Sequence, residues 1–194
     1  MKNSFIHIPK TAGNSVRKGL INSNVNYEDL GHSNKKIDEY FSDPDVFTFC
    51  FVRDPASRLK SAFFHLIEVN DSVNFESLSK FNQNRVLLKQ TYGADFKRFV
   101  LERGFEKYNI AHFFPQSIWT HSQSGQASFI GRLETLNESW AELGKLLDIK
   151  LEPLQKLNTT KIKAYSTSDA SYTDEMLKIV KYYYKEDYKL LGYK

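Results

Sequence analysis

Val46-Phe47-Thr48-Phe49-Cys50-Phe51-Val52 is almost unbroken in apolar and β-branched residues, and Arg53-Asp54-Pro55 ends it. A strand that alternates polar and apolar side chains can lie on a core with one face wet. This run offers no wet face, so it must be covered on both sides, as central strands of parallel sheets are. Parallel neighbours need crossover connections, usually helices. Downstream, Leu59, Ala62, Phe63, Leu66 and Ile67 recur at helical spacing and predict a helix from Arg58 to Asn70. Near the N-terminus, Phe5 to Ile8 reads as a strand closed by Pro9. A loop of small and polar residues follows, then a helix from Ser15 to Ile21. Strand, polar turn and helix thus occur twice. That pattern predicts an α/β fold with a central, mostly parallel sheet flanked by helices, and argues against a bundle or a sandwich.

The rest of the chain supplies further elements. A short helix is expected around Lys35 to Phe41, and Phe96, Phe99, Val100 and Arg103 mark another. Ala127 to Ile130 reads as a strand closed by Gly131, and Leu136, Trp140, Leu143 and Leu147 as a helix face. Residues 151–172 have no clear period and read as a long loop. Thr173, followed by Asp174 and Glu175, has the composition of a helix start, because the helix dipole favours acids in the first turn. Met176, Leu177, Val180, Tyr183, Tyr184, Asp187 and Tyr188 continue that helix. With no repeat and no linker, the 194 residues read as one domain, 1–194.

Composition excludes several classes. The chain has 15 Phe, 11 Tyr and 2 Trp, enough large side chains to build a core. A single cysteine, Cys50, rules out an intrachain disulfide framework and an all-thiolate metal site. No apolar run is long enough to span a bilayer, and MKNSFIHIPK lacks the apolar stretch of a signal peptide. A soluble, cytoplasmic protein is expected. The net charge of +4 suits an anionic ligand. Nucleic acid would need its basic residues gathered on one face. The tract KIVKYYYKEDYK is explained by helical spacing, with the Tyr run mostly a packed face and Lys reaching solvent.

Two loops carry chemistry. The first is His7-Ile8-Pro9-Lys10-Thr11-Ala12-Gly13-Asn14-Ser15, between a strand and a helix. Successive N–H groups in such a loop, with a helix N-terminus behind them, make an anion-binding nest, and Lys10 adds a point charge. Lys10 precedes Gly13, so the spacing is not that of the nucleotide P-loop. A solvated Lys10 in an ordinary connection is the competing reading. The second loop puts Arg53 at the C-terminal end of the central strand, the edge along which open parallel sheets bind ligands. Arg suits bidentate phosphate recognition, and Ser61 on the following helix offers a hydroxyl. The alternative is an Arg53–Asp54 surface pair with Arg58 solvated.

HIPKTAGNS and FVRDPASRLKSAF together resemble the two nucleotide motifs of PAPS-dependent sulfotransferases, in the branch of the heparan and chondroitin carbohydrate enzymes and their bacterial relatives. PAPS is 3′-phosphoadenosine-5′-phosphosulfate, and PAP is its desulfated product. The resemblance continues through His112-Phe-Phe-Pro115-Gln116, Phe129-Ile-Gly131-Arg132-Leu-Glu134, Leu157-Asn158 and the C-terminal Glu186-Asp187-Tyr-Lys-Leu-Leu-Gly192-Tyr193. It implies a three-layer fold with a P-loop-like phosphosulfate loop. Lys10, Thr11, Ala12, Gly13, Asn14 and Ser15 would hold the 5′-phosphosulfate, and Arg53 and Ser61 the 3′-phosphate. Ala12-Gly13-Asn14-Ser15 stands where the family commonly has Gly-Gly-Thr-Ser or a similar run. Phe113 and Phe114 replace a frequent Trp and basic residue, which points away from a densely anionic acceptor.

The resemblance implies sulfuryl transfer to a hydroxyl of a small molecule or saccharide, with no metal and no nucleic-acid partner. Preorganised N–H groups and Lys10 would meet the charge growing on the leaving bridge oxygen. A general base must take the acceptor proton. His32, between the two motifs, is the first candidate and His112 the second, either as base or as an acceptor contact. Glu68 and Glu134 are carboxylate alternatives, with Glu134 expected as a buried structural partner of Arg132. His7 is expected in the core, His65 as structural, and His121 as solvated. A phosphotransferase, which would need a Mg²⁺ motif absent here, and a nucleotide-binding protein without a base are the competing readings.

Overall fold

The computed structural model describes residues 1–34, 37–69, 75–155 and 171–194. Its described residues form two compact units. One comes from the described part of Met1–Asp54 and Gln116–Thr159, the other from the described part of Pro55–Pro115 and Thr160–Lys194.

The first unit is built on a four-stranded parallel sheet in the order β2-β1-β3-β6, comprising β1 (Lys2–Ile6), β2 (Glu28–Asp29), β3 (Val46–Val52) and β6 (Phe129–Arg132). The strand β3 lies between β1 and β6, and its last five residues are buried, as its two-sided apolar sequence requires. Its one polar residue is satisfied across the sheet. Thr48 N donates to Ser128 Oγ at 3.1 Å, and Ser128 N donates to Thr48 Oγ1 at 3.0 Å. Helices α1 (Gly13–Asn22) and α8 (Leu136–Leu146) bring Val16, Leu20, Trp140 and Leu143 onto Phe5, Phe49, Phe51 and Phe129. The unit also holds α2 (Ile37–Ser42), α7 (Ser117–Thr120) and a small antiparallel ladder of β4 (His121–Ser122) with β5 (Gly125–Gln126).

The second unit is helical. It contains α3 (Pro55–Ile67), α4 (Lys80–Tyr92), α5 (Phe96–Leu101), α6 (Gly104–Lys107), α9 (Asp174–Tyr183) and α10 (Lys185–Leu191). Pro55 opens α3 at the first helical position, where its missing N–H costs nothing. The core is aromatic: Phe63 and Phe99 lie 4.6 Å apart, and Phe99 and Phe113 5.3 Å. Thr173 caps α9, its hydroxyl accepting from Met176 N at 3.3 Å.

Several boundaries differ from the sequence reading. Pairing of Lys2 with Val46 begins β1 earlier than its apolar residues suggest, and the strand ends before His7. Gly131 lies inside β6 instead of closing it. A Cβ there would come within 2.6 Å of the Phe51 ring, so the glycine makes room for that ring. The expected continuous C-terminal helix is split at Tyr184 into α9 and α10. The chain ends α3 at Ile67, and α4 had no counterpart in the hydrophobic pattern. Lys35, Asn70, Leu157 and Asn158 lie outside the described residues.

Candidate functional site

The first loop turns on unusual backbone. Lys10 has φ 70° and Ala12 φ 69°, left-handed conformations that non-glycine residues seldom adopt. Thr11 between them is buried, and its hydroxyl donates to Ile8 O at 2.9 Å, tying the loop to itself. Ala12 occupies the N-cap of α1 and has no side chain to cap it. The first-turn N–H groups of Gly13 and Asn14 have no hydrogen-bond partner among the described residues. Left-handed residues beside an uncapped helix start make a concavity of N–H groups of the kind that receives anions. Asn14 is exposed, Ser15 is buried, and Lys10 is half-buried.

His7 forms the floor of this loop. A Cβ on Gly13 would lie 1.9 Å from His7 Cδ2 and Nε2, so only glycine lets the backbone rest on that imidazole. His7 is 8% exposed, and its Nδ1 has no partner among the described residues. Burial first, then the nearby His32 and Arg17, push its pKa down to about 3, so the ring is neutral. It is a core histidine, as expected, but not a fully hydrogen-bonded one.

The His32 ring lies 4.4 Å from the His7 ring, and His32 Nδ1 donates to His7 O at 2.6 Å. That bond fixes the tautomer of neutral His32, leaving Nε2 as the nitrogen with the lone pair. Burial is the largest influence on the ring and carries its pKa below 6.5, against the raising effect of the His7 carbonyl. The His32 main chain is held separately, its carbonyl accepting from Trp119 Nε1 at 3.1 Å.

Arg53 follows β3. Its N–H donates to Gln116 Oε1 at 2.9 Å, and its carbonyl accepts from Gln116 Nε2 at 2.7 Å. Gln116 is 0% exposed and acts as a one-residue strand that continues the ladder past Val52. Glu134 Oε1 accepts from Asp54 N at 2.7 Å. Glu134 is therefore structural, but it is exposed rather than buried.

Ser61, half-buried on α3, and His112, on a short 3₁₀ turn at Ala111–Phe113, belong to the second unit. The His112 ring stacks on His65 at 5.5 Å and lies 5.7 Å from Phe81. Arg58 is 0% exposed, which removes the alternative in which it is solvated. Its guanidinium donates to the carbonyls of His112 and Phe114, and Tyr184 Oη donates to Phe113 O at 2.7 Å. Three successive carbonyls of the His112 segment are thus held by side chains. His121 is half-buried and bonded to Thr120 Oγ1 at 2.8 Å, so it is only partly solvated. The structure therefore groups the Lys10 loop with His7 and His32, and places Arg53 in the same unit. It assigns Ser61 and His112 to the other.

No group of His, Cys, Asp and Glu among the described residues has the arrangement of a metal site. No helix among them is long and apolar enough to cross a membrane. The family model described as "Sulfotransferase family" matches residues 2–194. The chain belongs to the sulfotransferase family. No curated protein and no solved structure matches it. Membership makes this chain an enzyme of PAPS-dependent sulfuryl transfer. The sequence places the Lys10 loop and His32 as site candidates, and the structure brings His32 against His7 beneath that loop. The sequence did not reveal the contact of Gln116 with Arg53 or that of Arg17 with Asp29, which join residues far apart in the chain.

Proposed function

We propose that this sulfotransferase acts as a single domain over residues 1–194, sulfating a hydroxyl, that of a carbohydrate. The observation that carries the site assignment is the contact series from Gly13 to His7 to His32. It supports a phosphate loop and a general base held side by side. The N–H groups of Gly13 and Asn14, with Lys10, suit the 5′-phosphosulfate. Arg53 and Ser61 are assigned to the 3′-phosphate on their motif alone, since they belong to different units. When bound, PAPS supplies the sulfuryl group and is released as PAP.

The chain's own residues divide the remaining work. The Lys10 ammonium and the loop N–H groups oppose negative charge on the 5′ side, where preorganised donors are worth most. Neutral His32, with Nδ1–H given to His7 O, accepts the acceptor's proton at Nε2. His112 contacts the acceptor and is the alternative base.

Calorimetry with PAP, AMP and ATP tests the reading. PAP should bind much more tightly than AMP, and Arg53→Ala should weaken PAP while leaving AMP almost unchanged. A lost charge-assisted contact costs about 1.5–3 kcal/mol, or about 10- to 150-fold in Kd. Equal affinities for PAP and AMP in the parent enzyme would remove the 3′-phosphate site.

A further inference from the structure

One carboxylate links α1 to the turn that bears His32. Asp29, the last residue of β2, accepts Arg17 Nη2 on Oδ1 at 3.0 Å and Arg17 Nε on Oδ2 at 2.5 Å. The same Oδ1 accepts the N–H of Gly31 at 2.8 Å. Gly31 has φ 57°, so the chain reverses there in a left-handed conformation. Gly31 O in turn accepts from His7 N at 3.1 Å, and the next residue is His32. Asp29 therefore fixes the position from which the imidazole reaches back to His7 O.

Resting on the reading of His32 as base, we propose that Asp29, gripped by Arg17, is a positioning residue that aims the His32 imidazole and holds its Nδ1–H tautomer. Neither residue belongs to the nucleotide motifs. The bidentate geometry is what makes Arg necessary. A guanidinium fork fixes both carboxylate oxygens in one plane, whereas an ammonium fixes only one point. With both oxygens fixed, Oδ1 faces the Gly31 N–H, and the turn has one conformation.

The pair also sets the local field. Among the described residues, the titratable and charged groups that act on His32 include His7 just after β1, Arg17 on α1 and Asp29 on β2, with Tyr27 flanking the pair. Partial burial opposes the Asp29 charge, but the Arg17 hydrogen bonds and the Gly31 N–H outweigh it, and the carboxyl titrates below its ordinary range. Toward His32 the two members act oppositely. Arg17 lowers the imidazole pKa and Asp29 raises it. Removing Asp29's charge should therefore lower the His32 pKa further, and removing Arg17's should raise it.

The test is an NMR titration of imidazole-labelled protein without ligand, with His32 assigned from the resonance lost in His32→Ala. The parent should show His32 as the Nδ1–H tautomer. In Asp29→Asn the His32 pKa should fall, in Arg17→Gln it should rise, and in both the tautomer signal should become mixed. Arg17→Lys should keep the pKa near the parent's while still mixing the tautomers. Turnover of PAPS with free glucose as the hydroxyl probe is followed in parallel. It should fall about 10- to 100-fold in Asp29→Asn and Arg17→Gln, the scale of a misplaced catalytic group, with PAP affinity unchanged. Arg17→Gln keeps the test open should Asp29→Asn fail to fold. Parental His32 pKa and tautomer in both variants would overturn the proposal. So would a loss of turnover matched by an equal loss of PAP affinity with no change at His32. Parental turnover in His32→Ala would instead remove the base itself, and the NMR result would still stand apart from that failure.

Discussion

Replacing Gln116 tests whether one side chain stands in for a missing strand. The amide makes two hydrogen bonds to the Arg53 peptide from a fully buried position, at 2.9 and 2.7 Å. Gln116→Leu keeps similar bulk and removes both. Two neutral hydrogen bonds are worth about 0.5–1.5 kcal/mol each, and a peptide group stranded without a partner costs about 1–3 kcal/mol. Partial access of water to Arg53, which is half-buried, reduces the second figure. The expected loss is about 2–4 kcal/mol, or about 4–16 °C in Tm for a chain of this size. Gln123→Leu is the control. Gln123 is exposed, so its loss should stay within about 0.5 kcal/mol. Gln116→Glu sharpens the test. A carboxylate can accept from Arg53 N–H but has no proton for Arg53 O, whereas a carboxylic acid has both. Burial and the facing carbonyl raise its folded pKa above the unfolded value of about 4.3. The variant's stability is then fully present below that unfolded value and is lost as pH rises through the raised folded pKa. Melting Gln116→Glu beside the parent from pH 4 to 8 should show a Tm gap that is small in acid and widens with pH. A gap constant across pH, or a Gln116→Leu melt no worse than the Gln123→Leu melt, would refute the strand-mimic argument.

Two further outcomes follow from the first loop. Gly13→Ala should lose most PAP affinity, measured by calorimetry, because the new methyl falls on the His7 ring and backbone must move to relieve it. Ser4→Ala, at a buried hydroxyl on β1 with no hydrogen-bond partner among the described residues, is the comparison and should leave PAP affinity at the parental level. Lys10→Met should lower kcat by roughly 10²-fold or more, on the scale of removing one preorganised donor to a developing anion. Steady-state kinetics that show parental kcat and only weaker PAPS binding would reassign Lys10 to ground-state binding.

The legible parts of this protein were those in which one segment decides its own fate. Val46–Val52 needs cover on both faces wherever it lies, and it forms β3 with those bounds. The Leu59, Ala62, Phe63 and Leu66 stripe is buried as its spacing demands. Residues whose role depends on a distant partner were not legible. Arg58 sits on a helix and carries a charge, so solvent is its default address. Its burial depends on carbonyls of the His112 segment, which periodicity does not reveal. Gly131 looked like a terminator because glycine usually is one, and the ring that needs its space comes from β3. In α4 only Val86, Leu88 and Tyr92 are buried, too few to impose a stripe on a polar segment. The site divides the same way. Lys10 and Gly13 were visible as a loop, while Asp29 acquires meaning only beside Arg17 and Gly31.

The pairing of β3 with β6 also governs the order in which the chain can fold as it is made. Thr48 and Ser128 meet across that pair although 80 residues separate them, and all of Pro55–Pro115 is threaded between. On a ribosome, Val46–Val52 emerges long before Phe129–Arg132 exists. Pairing of β1 with β3 is available early, but the other side of β3 must wait with its peptide groups open and its side chains apolar. Such an edge recruits any extended chain that reaches it, and slow long-range pairing prolongs the exposure. Chains that end before Phe129 should therefore aggregate more readily than the full chain.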